Sequence, residues 1–379
     1  MSWSIWEKEM IRPSADVVIV GAGITGLSTA WFLKESHPEL DVLIVDRSVE
    51  GTGASTRNAG FACMGSLGEL VADSREMGMD AVCDLYKKRW EGLQLLTNII
   101  PEEEMGLVWC GGYELFFEGQ EEEWENVREA LDGWNERIAN TTGIRENFSI
   151  CSHDEWKNWQ APKDLIGAIR HKVEGRLNSG KMVRAWLDRV KSKGVRVQSG
   201  VSIEAYSRFG EGVALQDNFG RNWQAGKLLL ATNAFTPSLL KGKDIRPARN
   251  QIFVSQPLTV PIPDACFHVE EGYIYFRRYG DRLLIGGARN RDHQGESTDQ
   301  LGRNEKVLDY LIDFASRLTG QLIIPELSWS GIIGVGSEKL PIVEKVDENI
   351  FLAARLSGMG VALGSAIGRQ TARLIDGEK

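Results

Sequence analysis

The sequence predicts an α/β fold in which a parallel-sheet domain, assembled from separated segments, joins an α+β domain that contains an antiparallel sheet. An apolar strand, a glycine turn, a helix and a second strand follow one another within the first 46 residues. The same alternation returns near residues 182–231 and 350–375, and strand-like segments separated by short turns fill residues 251–286. A chain of 379 residues is long enough for two such domains.

The first elements form a βαβ unit. Asp16–Val20 is a short apolar run that enters a glycine cluster, and Ile24–Lys34 has the length and composition of a helix. After a turn-prone Ser-His-Pro, Asp41–Val45 is a second buried strand that ends at Asp46. Since a βαβ unit has a right-handed crossover, these two strands are predicted to be parallel.

The later elements follow from the same patterns. Residues 51–68 are rich in Gly, Ala, Ser and Thr and lack periodicity, which predicts a loop packed closely against another group. Helices are predicted at residues 80–97, 120–140, 182–193 and 364–375. Strands are predicted at residues 107–117, 195–198, 201–205, 226–231, 251–260, 272–278, 282–286 and 350–354.

Charge and composition exclude several classes of protein. A formal net charge of −9 opposes binding to nucleic-acid phosphates. Five cysteines without a CxxC pair, and five histidines without ligand spacing, predict neither a disulfide framework nor a metal site. The N-terminus lacks an apolar signal core, and three glycines and two threonines make residues 17–33 too polar for a membrane span. We therefore expect a cytoplasmic protein.

Residues 21–26 read GAGITG, the GxGxxG pattern, directly between the first strand and the first helix. Gly21 makes the turn, Gly23 lets the backbone approach a pyrophosphate, and Gly26 allows the helix to pack on the strand. Asp46, 20 residues beyond Gly26, can accept a hydrogen bond from a ribose hydroxyl. The pattern predicts a Rossmann-like dinucleotide site, and the adjacent Arg47 leaves NADP possible because an arginine can meet a 2′-phosphate.

Four further segments make the chain resemble the D-amino-acid-oxidase-like (DAO) family of FAD-dependent oxidoreductases over nearly its whole length. They are a second glycine-rich loop at 53–60, an ATNA strand end at 231–234, a GMGV turn at 358–361, and the pair YFR at 275–277 with RLLIGG at 282–287. The resemblance implies an FAD site formed by Gly21, Ala22, Gly23, Ile24, Thr25, Gly26, Asp46, Arg47, Ala54, Ser55, Arg57, Asn58, Ala59, Gly60, Val201, Ala231, Thr232, Gly358, Met359, Gly360 and Val361.

The family also implies a domain division and a mode of FAD attachment. The FAD domain is expected at residues 14–85, 160–245 and 335–379, and the substrate domain at 86–159 and 246–334. Some relatives attach the flavin through a His in the second loop, where this chain has Arg57, or through a Cys in a stretch that here, at 329–341, contains none. We expect non-covalent FAD, with Cys63 the first candidate if a covalent bond exists.

Within the family, the motifs at 231–237, 329–334 and 340–341 look most like the gamma-glutamylputrescine oxidase branch, whose substrates are amines. Many relatives bind a substrate carboxylate through an Arg or a Lys at positions that Ile333 and Ala362 occupy here. An apolar side chain cannot pair with a carboxylate. An α-amino acid is therefore disfavoured unless Arg277 or Arg278 moves in. The expected substrate pocket is lined by Phe61, Tyr273, Tyr275, Arg277, Trp329 and Met359.

The resemblance implies the reaction. A hydride passes from the carbon that bears nitrogen to flavin N5, water hydrolyses the imine, and oxygen reoxidises the flavin; no catalytic residue is assigned. One alternative is a dehydrogenase that passes electrons to a different acceptor. A flavoprotein with a degraded pocket that serves as a binding protein is a second. An NADPH-dependent reductase is a third, although the chain lacks a second GxGxxG for that nucleotide.

Overall fold

The computed structural model describes residues 3–49, 51–152, 155, 162–260 and 262–378. The helices are α1 (Ile5–Ile11), α2 (Ile24–Ser36), α3 (Leu67–Met77), α4 (Met79–Ile99), α5 (Glu102–Met105), α6 (Glu121–Thr142), α7 (Ser179–Ser192), α8 (Thr236–Leu239), α9 (His293–Glu296), α10 (Glu305–Thr319) and α11 (Gly360–Asp376). The strands are β1 (Ser14–Val20), β2 (Val42–Asp46), β3 (Phe61–Ala62), β4 (Gly112–Phe117), β5 (Phe148–Ile150), β6 (Leu165–His171), β7 (Gly175–Arg176), β8 (Arg196–Ser199), β9 (Ile203–Phe209), β10 (Gly212–Asp217), β11 (Asn222–Leu230), β12 (Arg246–Pro257), β13 (Cys266–Val269), β14 (Ile274–Tyr279), β15 (Arg282–Gly287), β16 (Pro325–Val335), β17 (Ile342–Asp347) and β18 (Ile350–Ala354).

The first sheet has the order β17-β18-β11-β1-β2-β8, extended by β10 and β9. Strand β1 pairs in parallel with both β2 and β11, so that Val18 lies between Leu43 and Leu228. The last four residues of β1 are all buried, as expected for a parallel strand covered on both faces. The predicted βαβ unit and the α/β fold class are confirmed.

Alternate residues of this sheet pack into two layers. Ile19 and Ile44 pack on one side with residues of α2 and α7, whereas Val18 packs on the other side with Trp223 of β11. Helix α11 lies along α2, where the Ser28 hydroxyl donates a hydrogen bond to the Gly364 carbonyl (2.9 Å). Because both helices follow parallel strands, their N-termini meet at the same edge of the sheet.

The second sheet has the order β16-β12-β15-β14-β13-β4-β6-β5 and is antiparallel except between β13 and β4. Helix α10 covers one face, where Leu311 and Phe314 pack with Phe276 and Ile285. The antiparallel sheet predicted from residues 251–286 is therefore confirmed. The opposite face turns toward the first sheet and carries the side chains of the site described below.

Several boundaries differ from those predicted, and the predicted division at 159/160 lies outside the described residues. That division would place Leu165–His171 with the first sheet, but β6 pairs with β4 and β5 of the second. Val201 precedes β9 instead of lying within a strand, and the last helix begins at Gly360. The cause is that long-range pairing and packing set these ends, which local sequence does not show. The domain division remains a prediction.

None of the helices in the described part of the chain has both the length and the apolar composition that crossing a membrane requires.

Candidate active site

A cavity of about 210 Å³, named here the nucleotide cavity, lies at the carboxyl ends of β1, β2 and β11. Most residues predicted to bind the cofactor line it: Gly21, Gly23, Ile24, Thr25, Asp46, Arg47, Ala54, Ser55, Asn58, Val201, Ala231, Thr232, Gly358, Gly360 and Val361. Of the others, Ala22 and Gly26 lie in the turn and in the first turn of α2 but do not line the cavity. This edge of a parallel sheet is where dinucleotides bind in such folds.

The GxGxxG turn has the close contacts that only glycine permits. A Cβ on Gly26 would lie 2.0 Å from the Gly21 carbonyl oxygen, and Gly21 itself has φ +117° with its own Cβ position 2.6 Å from the Ala231 oxygen. Gly23, the residue before α2, offers no side-chain cap, and Gly23, Ile24 and Thr25 line the cavity at the start of the helix. These features fit a pyrophosphate at the helix N-terminus.

Asp46 keeps part of its hydrogen-bonding capacity for a ligand. Its Oδ2 accepts a hydrogen bond from the Ala22 amide (2.6 Å), and its Oδ1 accepts from the Ser48 amide (2.8 Å) and hydroxyl (2.5 Å). A carboxylate has about four lone-pair positions, so one on Oδ2 stays available for a ribose hydroxyl. The neighbouring Arg47 guanidinium lies 3.6 Å from the centroid of the Phe235 ring, on the same cavity wall.

The second glycine-rich loop is fixed by its own side chains. The Asn58 amide donates to the carbonyls of Ala54 and Ser55 (3.1 and 2.9 Å), and its oxygen accepts from the Gly60 amide (2.8 Å). Ser55 Oγ in turn accepts from the Ile24 amide at the start of α2 (3.0 Å). The loop is thereby held against the GxGxxG turn.

A second cavity of about 330 Å³, the substrate cavity, adjoins the first. Both cavities are lined by Ala54, Asn58, Ile333, Gly358 and Val361, and the first turn of α11 stands at this junction. Its free amides favour an electron-rich group there. The residues present therefore fit FAD, with the nucleotide in the first cavity and the flavin at the junction.

Four of the six predicted substrate residues line the substrate cavity: Phe61, Tyr273, Tyr275 and Met359. The Phe61 ring stands edge-on to the Tyr275 ring, with centroids 5.8 Å apart, and burial raises the pKa of the Tyr275 hydroxyl. Arg57 and Ala59, predicted as cofactor contacts, line this cavity as well. The wall beside the junction is thus largely aromatic and apolar.

Arg277 and Trp329 are not brought to either cavity, and neither is Gly60. Arg277 is 6% exposed, and its Nε and Nη2 donate to the carbonyls of Ala59 (2.6 Å) and Leu177 (3.3 Å). It shares a face of β14 with Tyr275, but lies two residues further along the strand, past the end of the cavity. Its hydrogen bond to Ala59 holds the second glycine-rich loop in place. The Trp329 indole donates to the Arg57 carbonyl at 3.3 Å.

Sequence reasoning missed Arg289, a guanidinium in the wall of the substrate cavity. It lies 5.2 Å from the centroid of the Tyr273 ring and forms no ion pair with any described residue. Ala288, buried and at φ +54°, ends β15 and turns the chain so that Arg289 reaches this wall. An arginine two residues after the Gly-Gly of β15 was the only signal in the sequence.

A buried ion pair closes another part of the wall. His268 Nε2 lies 2.5 Å from Glu174 Oε1, His171 Nδ1 lies 3.1 Å from Glu174 Oε2, and His268 lines the cavity. Burial by itself would lower the pKa of His268, but the Glu174 carboxylate raises it above the ordinary value. Despite burial, the pairing with His268 lowers the pKa of Glu174 to about 2. The carboxylate thus favours the protonated form of His268, and the imidazole favours the ionised form of Glu174.

These residues also form a group of possible metal ligands within the described ranges. Ligand atoms of Cys63, Glu174 and His268 lie within 4.8 Å of one another. Glu174 and His268 are already hydrogen-bonded to each other, and burial, followed by the Glu174 charge, raises the pKa of the Cys63 thiol. A protonated thiol is a poor metal ligand. His153, to which the sequence assigned no chemistry, lies outside the described residues.

A Rossmann-type sheet with a dinucleotide cavity and an adjoining substrate cavity under an antiparallel sheet defines a nucleotide-dependent oxidoreductase. The chain belongs to the DAO family of FAD-dependent oxidoreductases, whose family model matches residues 16–374. It is therefore an FAD-dependent oxidoreductase.

Three known proteins illustrate the likeness. Gamma-glutamylputrescine oxidoreductase of Escherichia coli (strain K12) is 23% identical, over 96% of this chain and 84% of that protein. Glycine oxidase from Geobacillus kaustophilus superposes with a TM-score of 0.75 at 22% identity, covering 97% of this chain and 95% of that one. L-Proline dehydrogenase from P. horikoshii gives 0.76 at 17% identity, covering 97% and 94%. The two structures share this fold.

Proposed function

We propose that the protein oxidises a primary or secondary amine to an imine, which water hydrolyses, and that oxygen is the electron acceptor. The observation that carries the proposal is that Ile333 and Ala362 both line the substrate cavity. These are the positions at which relatives place a carboxylate-binding cation, so the wall here is apolar where an α-amino acid would need a charge. The similarity to an enzyme named for gamma-glutamylputrescine supports an amine substrate.

Bound FAD supplies the two-electron acceptor for the hydride that leaves the substrate carbon. The chain's own residues bind and orient the amine and exclude water. Phe61, Tyr275 and Met359 form an apolar wall next to the junction, which favours an uncharged amine over an ammonium. Because Glu174 balances the charge of His268, the imidazolium adds little net charge to this wall. Orientation of a neutral amine is the main contribution that these residues make.

FAD is held without a covalent bond in this proposal. Cys63 lines the substrate cavity and is the nearest candidate nucleophile. Burial and the Glu174 charge raise the pKa of its thiol well above the ordinary value, and the thiolate is the reactive form. Acid precipitation of the purified protein should therefore leave the yellow colour in the supernatant. A yellow pellet that turns colourless in Cys63→Ser would contradict the proposal and identify the attachment.

Anaerobic titration of the holoenzyme with amines, N-methyl amino acids and α-amino acids tests the reaction. We expect amines without a carboxylate to bleach the visible absorbance of the flavin. Readmission of air should restore the colour and yield one peroxide per turnover; colour that returns only with a quinone or a protein acceptor would make the enzyme a dehydrogenase. NADPH alone serves as the control and should leave the flavin oxidised. Bleaching by α-amino acids only would contradict the amine assignment.

Arg289 favours a second candidate, the oxidation of an amine that carries a carboxylate. Its guanidinium lines the cavity without an acidic partner among the described residues, and a charge-assisted bidentate pair with a carboxylate is worth about 1.5–3 kcal/mol. Under the proposed function, Arg289→Met should change the rate at which a simple amine reduces the flavin by less than about threefold. A loss of about 10- to 100-fold, confined to substrates with a carboxylate, would favour this second candidate.

A further inference from the structure

The substrate cavity has an acidic part that the oxidation of a simple amine does not use. Helix α3 lines the cavity with Glu69, Ala72, Asp73 and Glu76, which at spacings of three and four residues share one helix face. Glu271, in the turn between β13 and β14, lines the cavity beside them. None of these residues lines the nucleotide cavity. We call the four carboxylates the acidic end of the cavity.

Two cations pair with this acidic end. Lys339 Nζ lies 2.5 Å from Asp73 Oδ1 and 3.5 Å from Glu69 Oε1. Arg89 Nη2 lies 3.2 Å from the same oxygen of Glu69. Glu76 and Glu271 form no ion pair with any residue that the structure describes. Four carboxylates thus face two paired cations, and the acidic end keeps an excess of negative charge.

One carboxylate oxygen of Asp73 lacks a hydrogen-bond partner among the described residues. The residue is 5% exposed and lines the cavity, yet its Oδ2 has no hydrogen-bond partner in the described part of the chain. An unsatisfied buried acceptor costs about 1–3 kcal/mol. Burial, and then the charge of Glu69, raise the pKa of Asp73. Burial also raises the pKa of Glu271, as do the charges of Glu114 and Asp73. In both cases burial is the larger cause, and neighbouring carboxylates add to it against the opposing charge of Lys339.

Arg289, a cation of the cavity wall that forms no ion pair with a described residue, lies at a different end. Arg289 stacks on Tyr273 and is the charge that acts on the Tyr275 hydroxyl. The charges that act most strongly on Glu271 are instead Lys339, Glu114, Asp73 and Arg75. Arg289 therefore does not neutralise the acidic end. Nor does His268, whose charge is matched by Glu174.

We propose that the acidic end binds a second, non-reacting ammonium group, so that the preferred substrates are diamines or polyamines. An ammonium carries three donors, which suit the free Oδ2 of Asp73 and the unpaired carboxylate of Glu271. The aromatic wall then holds the other, neutral amine at the junction with the nucleotide cavity. The proposal rests on the proposed function, because it names the substrate class for the same amine site.

The test compares each diamine with the monoamine of equal chain length: putrescine with butylamine, and cadaverine with pentylamine. Calorimetry on holoenzyme reduced beforehand gives the dissociation constant without turnover, and anaerobic stopped-flow measurement on the oxidised holoenzyme gives the limiting rate of flavin reduction. We expect each diamine to bind at least about tenfold more tightly than its monoamine. Glu271→Gln and Asp73→Asn should each reduce this ratio about tenfold.

Two further variants sharpen the test. Lys339→Gln removes the cation that competes for Asp73, so the diamine preference should rise instead of fall. Glu136→Gln removes the same charge from the exposed face of α6 and should leave the preference unchanged. Glu271 is exposed, so its variant is expected to fold even if Asp73→Asn does not.

Equal dissociation constants for diamine and monoamine, or a preference that survives Glu271→Gln, would overturn the acidic subsite even if every amine reduces the flavin. A preference lost in the variants, without flavin reduction by any amine, would support the subsite and overturn the proposed oxidation. The two failures are thus distinguishable.

Discussion

Gly26→Ala is expected to leave the purified protein nearly free of FAD. The new Cβ would lie 2.0 Å from the Gly21 carbonyl oxygen and 3.2 Å from Ile19 Cγ2, so α2 must move away from β1. This overpacking costs about 1–3 kcal/mol, and it also displaces the start of α2, where we expect the pyrophosphate to bind. We expect FAD affinity to fall at least about 100-fold, or about 2.7 kcal/mol. The ratio of flavin to protein absorbance and fluorescence titration of the apoprotein measure the loss.

The matched control is Gly133→Ala. Gly133 lies in α6 with no atom within 4 Å of its Cβ position, and alanine there should stabilise the helix by up to about 1 kcal/mol with normal flavin content. A Gly26→Ala protein that purifies with a full complement of FAD would show that the turn adapts. The assignment of residues 21–26 to the pyrophosphate would then be wrong.

Glu174→Gln is expected to lower the free energy of unfolding by about 3–5 kcal/mol near pH 6, because it removes the carboxylate partner of the buried His268. Glu174 and His268 are 2% and 6% exposed, and His171 lies on the other side of the carboxylate. Denaturant unfolding of the holoenzyme measures the effect. The exposed substitution Glu136→Gln should change the same quantity by less than about 0.5 kcal/mol.

The effect has a defined pH dependence. Since the folded pKa of His268 is raised above the ordinary value of 6.5, its contribution is fully present below that value and is lost as the pH rises through the folded pKa. The pKa of Glu174 is lowered from 4.5 to about 2, so its contribution is present above 4.5 and is lost as the pH falls toward about 2. The gap between wild type and Glu174→Gln should therefore be larger at pH about 6 than at pH about 9.

A double-mutant cycle separates the pair from its surroundings. If the two side chains interact as described, His268→Gln should lower the free energy of unfolding much less in the Glu174→Gln background than in the wild type. The expected coupling energy is about 1–3 kcal/mol. Additive effects of the two substitutions, or a gap that does not vary with pH, would show that Glu174 stabilises the fold by packing alone.

The nucleotide half of the site was predictable because it is local in sequence. Strand, turn and helix follow one another within residues 16–34, and the short contacts of Gly21 and Gly26 are encoded by the glycines themselves. The acid at Asp46 ends the next strand and returns to hydrogen-bond Ala22. The family resemblance extended this to the second loop and the last helix, most of whose predicted residues line one of the two cavities.

The substrate half was predicted less well because it depends on which part of a strand lies under the cavity. Arg277 and Tyr275 share one face of β14, and alternation alone cannot tell that the cavity ends between them. Arg289 reaches the cavity only through the left-handed backbone at Ala288. Leu165–His171 pairs with β4, where His171 lies opposite Gly112, more than 50 residues earlier in the sequence. Local sequence does not show such a distant pairing, so the strand was predicted in the wrong sheet.

The sequence by itself determined the α/β class, the dinucleotide turn and the family, since each depends on short patterns whose physical requirements are local. Only the tertiary structure decided the charges of the substrate cavity. Glu69, Asp73, Glu271, Arg289 and Lys339 come from four separate segments, and pairing of β13 with β14 and of β14 with β15, together with the packing of α3, brings them to one cavity. Long-range strand pairing fixes such a constellation, and no short segment of the sequence records it.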